Sequence, residues 1–170
     1  DYHHIFAPAY DNPPMQHNIT PLPINLSHAD AEWYRQQAEE FRTHHHKAAK
    51  KSVGIVIGGN SHRASIEAGQ LEKQLTEIFK RTPDHEHWLT NSRRTPPEII
   101  ALLKSFAFDY QLIWEKGAYN PLPAFIESCE HLFITSDSAS MISEAVSYGE
   151  TSVTALPVTY RSQKDKLQRF

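Results

Sequence analysis

One cysteine, Cys129, among 170 residues excludes a disulfide scaffold and leaves no thiolate pair with zinc-ligand spacing. Glycine is scarce too, with six residues, and none stands in the G-x-G-x-x-G or Walker spacing of a dinucleotide or P-loop site. That absence argues against a nicotinamide cofactor, and no other cofactor is expected. No apolar run approaches the ~18 residues of a membrane span. Positive charge is not in excess: 17 Lys+Arg face 20 Asp+Glu, a net charge of −3, which argues against a dedicated nucleic-acid binder. No charged-then-apolar leader opens the chain, so a cytoplasmic location is expected. It opens instead on Asp1-Tyr2-His3-His4, without Met, as a piece of a longer protein would.

What is present suffices for one domain. The chain is 39% hydrophobic with a mean hydropathy of −0.55, and a domain of this size buries on the order of 70% of its unfolded surface. Residues 1–26 hold five of the 11 prolines (Pro8, Pro13, Pro14, Pro21, Pro23). Proline fixes φ and removes a donor, so this stretch reads as an extended lead-in or linker. Residues 27–170 read as the folded unit. Ser27 with Asp30 suggests a helix start, and Asp30 to Lys51 has no Gly or Pro, with Trp33, Tyr34, Ala38 and Phe41 at helical spacing.

Strand and helix signals then alternate. Ser52–Ile57 is continuously apolar and β-branched, as a strand buried on both faces is. Ala64–Arg81 reads as an amphipathic helix, Trp88–Thr90 as a strand, and 97–106 as a helix with Pro97 in its first turn. Gln111–Glu115 is a strand, Pro121–Cys129 a helix and Leu132–Thr135 a strand. Ser138–Tyr148 is a helix closed by Gly149, Thr151–Val158 a strand, and the chain beyond Tyr160 a polar tail. Such alternation predicts an α/β fold: a Rossmann-like parallel sheet of four to six strands with helices on both faces.

Ligands of open parallel sheets sit beyond the carboxyl ends of the strands. The residues there are small, polar and basic: Gly58-Gly59-Asn60-Ser61, Asn91-Ser92-Arg93-Arg94, Glu115-Lys116-Gly117 and Ser136-Asp137-Ser138-Ala139-Ser140-Met141. The last stretch starts a helix, whose free N–H groups and dipole suit a phosphate, with Glu144 one turn on in reach of a ribose diol. Asp137 or Ser138 as a simple helix cap, with Glu144 in solvent, accounts for the same residues. Gly58 and Gly59 permit close backbone approach to a ligand, or only a tight turn. Arg93 or Arg94 could clamp a diphosphate, and since neighbours in extended chain point oppositely only one of the two would do so; a surface salt bridge accounts for the same residues. His44-His45-His46 occupy successive positions that do not converge on a metal, and a solvated helix end is expected. His62, beside the glycine turn, is a possible phosphate contact. Cys129 reads as a small buried hydrophobe.

Several strings together resemble one family. Val56-Ile57-Gly58-Gly59-Asn60-Ser61-His62-Arg63, Thr90-Asn91-Ser92-Arg93-Arg94-Thr95-Pro96, Asn120-Pro121 before a helix, and residues 134–145 in ITSDSASMISEA look like the mitochondrial-fission ELM-type family. Bacterial members of it are often labelled nucleoside-diphosphate-sugar epimerases. The resemblance implies a fold similar to the GT-B glycosyltransferases, with this chain similar to their C-terminal, donor-binding domain. Asp137, Ser138 and Ser140 would then face the donor diphosphate beside Met141, and Glu144 the ribose. Gly58, Gly59, Asn60 and Ser61 would floor the cleft and Ser92, Arg93 and Arg94 would line it. The expected ligand is a nucleotide sugar. The expected partners are an absent N-terminal domain or a second subunit, with no nucleic acid and any membrane association only through partners. A non-catalytic interaction module and an epimerase are the alternatives.

Overall fold

A computed structural model describes residues 3–24, 30–116, 119–148 and 151–161. Its centre is a five-stranded sheet in which every pair is parallel: β3 (Ser52–Ile57), β5 (Glu86–Asn91), β6 (Tyr110–Leu112), β7 (His131–Thr135) and β8 (Ser152–Leu156) stand in the order β6-β5-β3-β7-β8. The fold is the expected Rossmann-like α/β, and Ser52–Ile57 is the central strand.

Alternation of side chains along the strands builds two cores. Val56, Trp88, Leu132 and Ile134 face one way, onto Tyr34 and Phe41 of α1 (Ala31–His44), Phe125 and Ile126 of α4 (Leu122–Ser128), and Ile142 and Ala145 of α5 (Ala139–Tyr148). Ile55, Ile57 and Leu89 face the other way, onto Leu71 and Leu75 of α2 (Ala68–Arg81) and Ile99 and Leu103 of α3 (Pro97–Lys104). Each fully buried aliphatic or aromatic side chain contributes about 1.5–3 kcal/mol, and both layers are full of them. Gly54 belongs to the first face. A Cβ there would press on Leu132, Phe125 and Cys129, so its absence lets α4 sit close against β3.

Local chemistry moves several boundaries from their sequence-based positions. α1 begins at Ala31 because the Asp30 carboxylate accepts from Glu32 N (3.0 Å) and Trp33 N (3.4 Å); Ser27 lies outside the described residues. The helix stops at His44 rather than running to Lys51, since His46 is drawn to the sheet. Its Nε2 is 2.8 Å from Oε2 of the buried Glu86, which also accepts from Trp88 Nε1 (2.9 Å) and Ala49 N (2.6 Å). The solvated-end reading of the three histidines therefore fails for His46.

Ala64–Ser65 is not helix but β4, paired antiparallel with β9 (Thr159–Tyr160). Side chains upstream divert that backbone: Ser61 Oγ accepts from Arg63 N and Ala64 N, and Asn60 Oδ1 accepts from Ile66 N. Cys129 caps the end of α4, buried, with its thiol pushed up to about 12 by desolvation. In the proline-rich lead-in, β1 (Ile5–Pro8) and β2 (Ile19–Leu22) form a separate two-stranded parallel sheet, around a short 3-10 turn at Ala9–Asp11. Gly117, Gly149 and the chain beyond Arg161 lie outside the described residues.

Candidate functional site

From β3 the chain moves outward through α2 to β5 and through α3 to β6. It then returns past β3, through α4 to β7, and continues through α5 to β8. That reversal makes β3 and β7 the topological switch point, beyond whose carboxyl ends a crevice forms.

The protein's own side chains fill this crevice. Gly58 N donates to Thr135 Oγ1 (2.6 Å), and Gly59 N donates to Asp137 Oδ2 (2.9 Å). Thr95 Oγ1 donates to the Gly58 carbonyl (2.5 Å), and Asn60 N donates to the Arg94 carbonyl (3.2 Å). The Asp137 side chain has no exposure, and Arg94 Nη2 stands 3.5 Å from its Oδ2. Its Oδ1 has no hydrogen-bond partner among the described residues. Burial raises the Asp137 carboxyl above its ordinary value, against the lowering pull of Gly59 N–H, Thr135 and Arg94.

Both glycines are needed for this closure. A Cβ at Gly58 would lie inside the Asp137 carboxylate, and one at Gly59 would collide with the Arg94 backbone carbonyl. Gly58 and Gly59 thus serve a close approach, but to Asp137 and Arg94 of the same chain. Ser136 is pinned from above, where Tyr160 on β9 donates to its carbonyl (2.7 Å) and lies 3.0 Å from its Oγ. Ser138 is buried and Ser140 exposed at the start of α5, their hydroxyls 3.5 Å apart. Asp137 turns toward Gly59 and Arg94 at the crevice. His62 is exposed and touches its neighbour Arg63 (3.0 Å).

The open space lies one strand over. A cavity of about 390 Å³ is bounded by Val56, by Thr90, Asn91, Ser92 and Arg93 at the end of β5, by Leu112 of β6 and by Trp114 past it. Tyr119, Asn120, Pro121 and Leu122 lead into α4 on its other side, and Met141 and Glu144 of α5 close it. Asn91 shapes the rim, its Oδ1 accepting from Trp114 N (2.7 Å). Tyr119 stacks on His45 (4.1 Å between centroids) and donates to the Gln37 carbonyl (3.4 Å), and burial raises its phenol. Glu144 is half-buried, its carboxyl raised by desolvation and eased by a hydrogen bond from Tyr34 OH at 3.2 Å.

Of the residues singled out in the sequence, this cavity gathers Asn91, Ser92, Arg93, Met141 and Glu144, together with Asn120 and Pro121. Gly58, Gly59, Arg94 and Asp137 belong to the filled crevice, and Asn60, Ser61, Ser138 and Ser140 are absent from the cavity wall. The two arginines part as neighbours do, Arg93 to the cavity and Arg94 to Asp137. Trp114 and Tyr119 were not singled out. Trp114 follows a strand and Tyr119 precedes Asn120-Pro121, but a lone aromatic at a strand end carries no signal separating a pocket wall from a core.

Comparison with known proteins places the chain. The sequence model described as "Mitochondrial fission ELM1" matches residues 1–170. The chain belongs to the mitochondrial fission ELM1 family. A relative in Rickettsia prowazekii (strain Madrid E), described as uncharacterized protein RP120, is 26% identical over 130 residues, which are 72% of this chain and 36% of that protein. The chain thus spans about a third of that relative's length. Among solved structures, the universal stress protein of Archaeoglobus fulgidus in complex with dAMP is similar at 11% identity and a TM-score of 0.38, over 66% of this chain and all of that one. That likeness is too distant to carry any argument about a ligand. No helix of the described residues is long and apolar enough to cross a membrane.

Proposed function

We propose that this member of the family is the nucleotide-sugar-binding domain of a glycosyltransferase-like protein, and that the cavity between β5, β6, α4 and α5 takes the nucleoside diphosphate. One observation carries the reading. The cavity combines a half-buried carboxylate (Glu144), a cation (Arg93), amide side chains (Asn91, Asn120) and two aromatic rings (Trp114, Tyr119) at the carboxyl edge of a parallel sheet. A planar base suits the rings, a ribose diol suits a carboxylate acceptor, and a diphosphate suits a guanidinium at the cavity mouth. An apolar ligand would bond neither the Glu144 carboxylate nor the Arg93 guanidinium.

The chain contains no G-x-G-x-x-G turn, and among the described residues Thr135 and Asp137 hold the Gly58 and Gly59 amides at the switch point; both support a nucleotide sugar over a nicotinamide cofactor. A second reading, a non-catalytic interaction module, draws on the crevice that Asp137 fills: a transferase cleft is occupied there by the protein itself.

Calorimetric titration with UDP, GDP and their sugar conjugates separates the two. The binding reading expects a Kd on the order of 0.1–1 mM, about −4 to −5.5 kcal/mol. Glu144→Ala should weaken it by roughly 1.5–3 kcal/mol, because the acceptor is charged. Heats at the dilution baseline for every nucleotide at millimolar concentration would leave the interaction module standing.

A further inference from the structure

We infer that Tyr34 of α1 is a positioning residue that sets the preference of this site for ribose over deoxyribose, by holding the Glu144 carboxylate in place. The inference rests on the nucleotide-binding reading of the cavity. Tyr34 does not line the cavity. It is 1% exposed, yet its hydroxyl reaches across from α1 to donate to Glu144 Oε1 at 3.2 Å. A buried hydroxyl of this kind is placed with unusual rigidity. The Tyr34 ring stacks on Tyr148 with centroids 4.0 Å apart and 24° between planes, and meets Trp33 edge-on at 5.0 Å. Tyr148 is fixed in turn by donating to Glu127 Oε2 on α4 (2.6 Å). The Tyr34 ring is thus tied to α5 through Tyr148, and through Tyr148 to α4, while its hydroxyl reaches the Glu144 carboxylate.

The consequence follows from the geometry of carboxylates. Glu has three side-chain torsions, and ordering a long side chain on binding opposes affinity. A donor bonded to Oε1 fixes the rotamer beforehand and leaves the remaining lone pairs and Oε2 for a diol. It also favours the ionised form, the form that accepts from two sugar hydroxyls. Tyr34 is thus placed to act on the sugar end of the ligand through Glu144, without touching the ligand.

The test is calorimetric titration of UDP and 2′-deoxy-UDP into the wild type, Tyr34→Phe, Glu144→Gln and Tyr148→Phe. Tyr34→Phe keeps the stacked ring and removes only the hydroxyl; Tyr148→Phe removes a hydroxyl from the same stack that does not reach Glu144. The expectation is that the wild type prefers UDP. Tyr34→Phe should lose about threefold to tenfold in UDP affinity, the worth of one hydrogen bond, and change less than about twofold for 2′-deoxy-UDP on the same scale. Glu144→Gln should erase the preference, and Tyr34→Phe in the Glu144→Gln background should add nothing. Tyr148→Phe, which loosens the stack but leaves the Tyr34 hydroxyl in place, should lower the preference by less than Tyr34→Phe does. Equal losses for both nucleotides in Tyr34→Phe, or none, overturn the inference while leaving the site intact. No binding of either nucleotide by the wild type overturns the site reading and this inference with it.

Discussion

Two hollows lie side by side at the carboxyl edge of one parallel sheet, and they differ in who fills them. Beyond β3 and β7, Thr135, Asp137 and Thr95 bond the backbone of Gly58 and Gly59, and Arg94 stands beside Asp137. Beyond β5 and β6, Asn91, Arg93, Trp114, Tyr119 and Glu144 surround about 390 Å³ of space. Residue types do not separate the two, since both carry a carboxylate, an arginine and small polar groups. Connectivity does. The first carboxylate sits at the end of a strand and reaches its neighbour's backbone; the second sits one turn into a helix, beyond that reach. Polar residues at a sheet edge are candidates for ligand binding where the fold leaves open volume between them.

The strongest way to break this contrast is to reopen the filled hollow. Gly59→Ala should destabilise the domain by about 3 kcal/mol, the upper end of overpacking, because the clashing partner is the Arg94 backbone rather than a movable side chain. For a chain of this size that is a fall of roughly 6–12 °C in Tm, read by thermal unfolding.

Asp137→Ala comes next. It leaves the Gly59 N–H buried without an acceptor and should cost about 1–3 kcal/mol. Asp137→Asn keeps an acceptor and should recover most of that loss, with a pH signature. Because burial raises the Asp137 carboxyl in the fold, its share of stability is complete below the unfolded pKa and is lost as pH rises through the folded value. Asparagine does not titrate, so Asp137→Asn should gain on the wild type as pH rises through that range. Urea denaturation between pH 4 and 8 measures it, and a difference that shrinks toward neutral pH would reverse the assignment.

Ser140→Glu has the smallest effect and sharpens the contrast from the other side. Ser140 is exposed in the first turn of α5, where a carboxylate favours the helix dipole by about 0.3–1 kcal/mol. Stability should rise slightly while nucleoside diphosphate affinity falls, if phosphates lie near that helix end. Unchanged affinity would place the phosphates at Arg93 alone.

The architecture was legible because it depends on patterns that survive boundary errors. Ser52–Ile57 could be read as central from its run rich in Val and Ile, and the five parallel strands from alternation alone. Boundaries set by single side chains were not legible. Ser61 and Asn60 turn Ala64–Ser65 out of the helix, and Glu86 pulls His46 onto the sheet; both depend on partners brought together only by folding. For the candidate site, the strand-end rule pointed to the edge at which the cavity lies and drew attention to Arg93 and Glu144, which line it. It could not tell which of two neighbouring hollows stays open, because Asp137 and Gly59 are 78 residues apart in the chain and nothing local signals their bond. The aromatic wall was hidden for a similar reason, since Trp114 and Tyr119 acquire meaning only when β6 and α4 face each other across the cavity.

The central claim is that the hollow beyond β5 and β6, not the switch-point crevice, receives the ligand. Amide chemical-shift mapping of the ¹⁵N-labelled chain during titration with UDP tests it directly. The account predicts the largest shifts at Asn91–Arg93, Trp114, Tyr119, Asn120 and Met141–Glu144, with the Gly58 and Gly59 amides nearly still because Thr135 and Asp137 already hold them. Shifts centred on Gly58, Gly59 and Asp137, with the cavity amides unmoved, would contradict it.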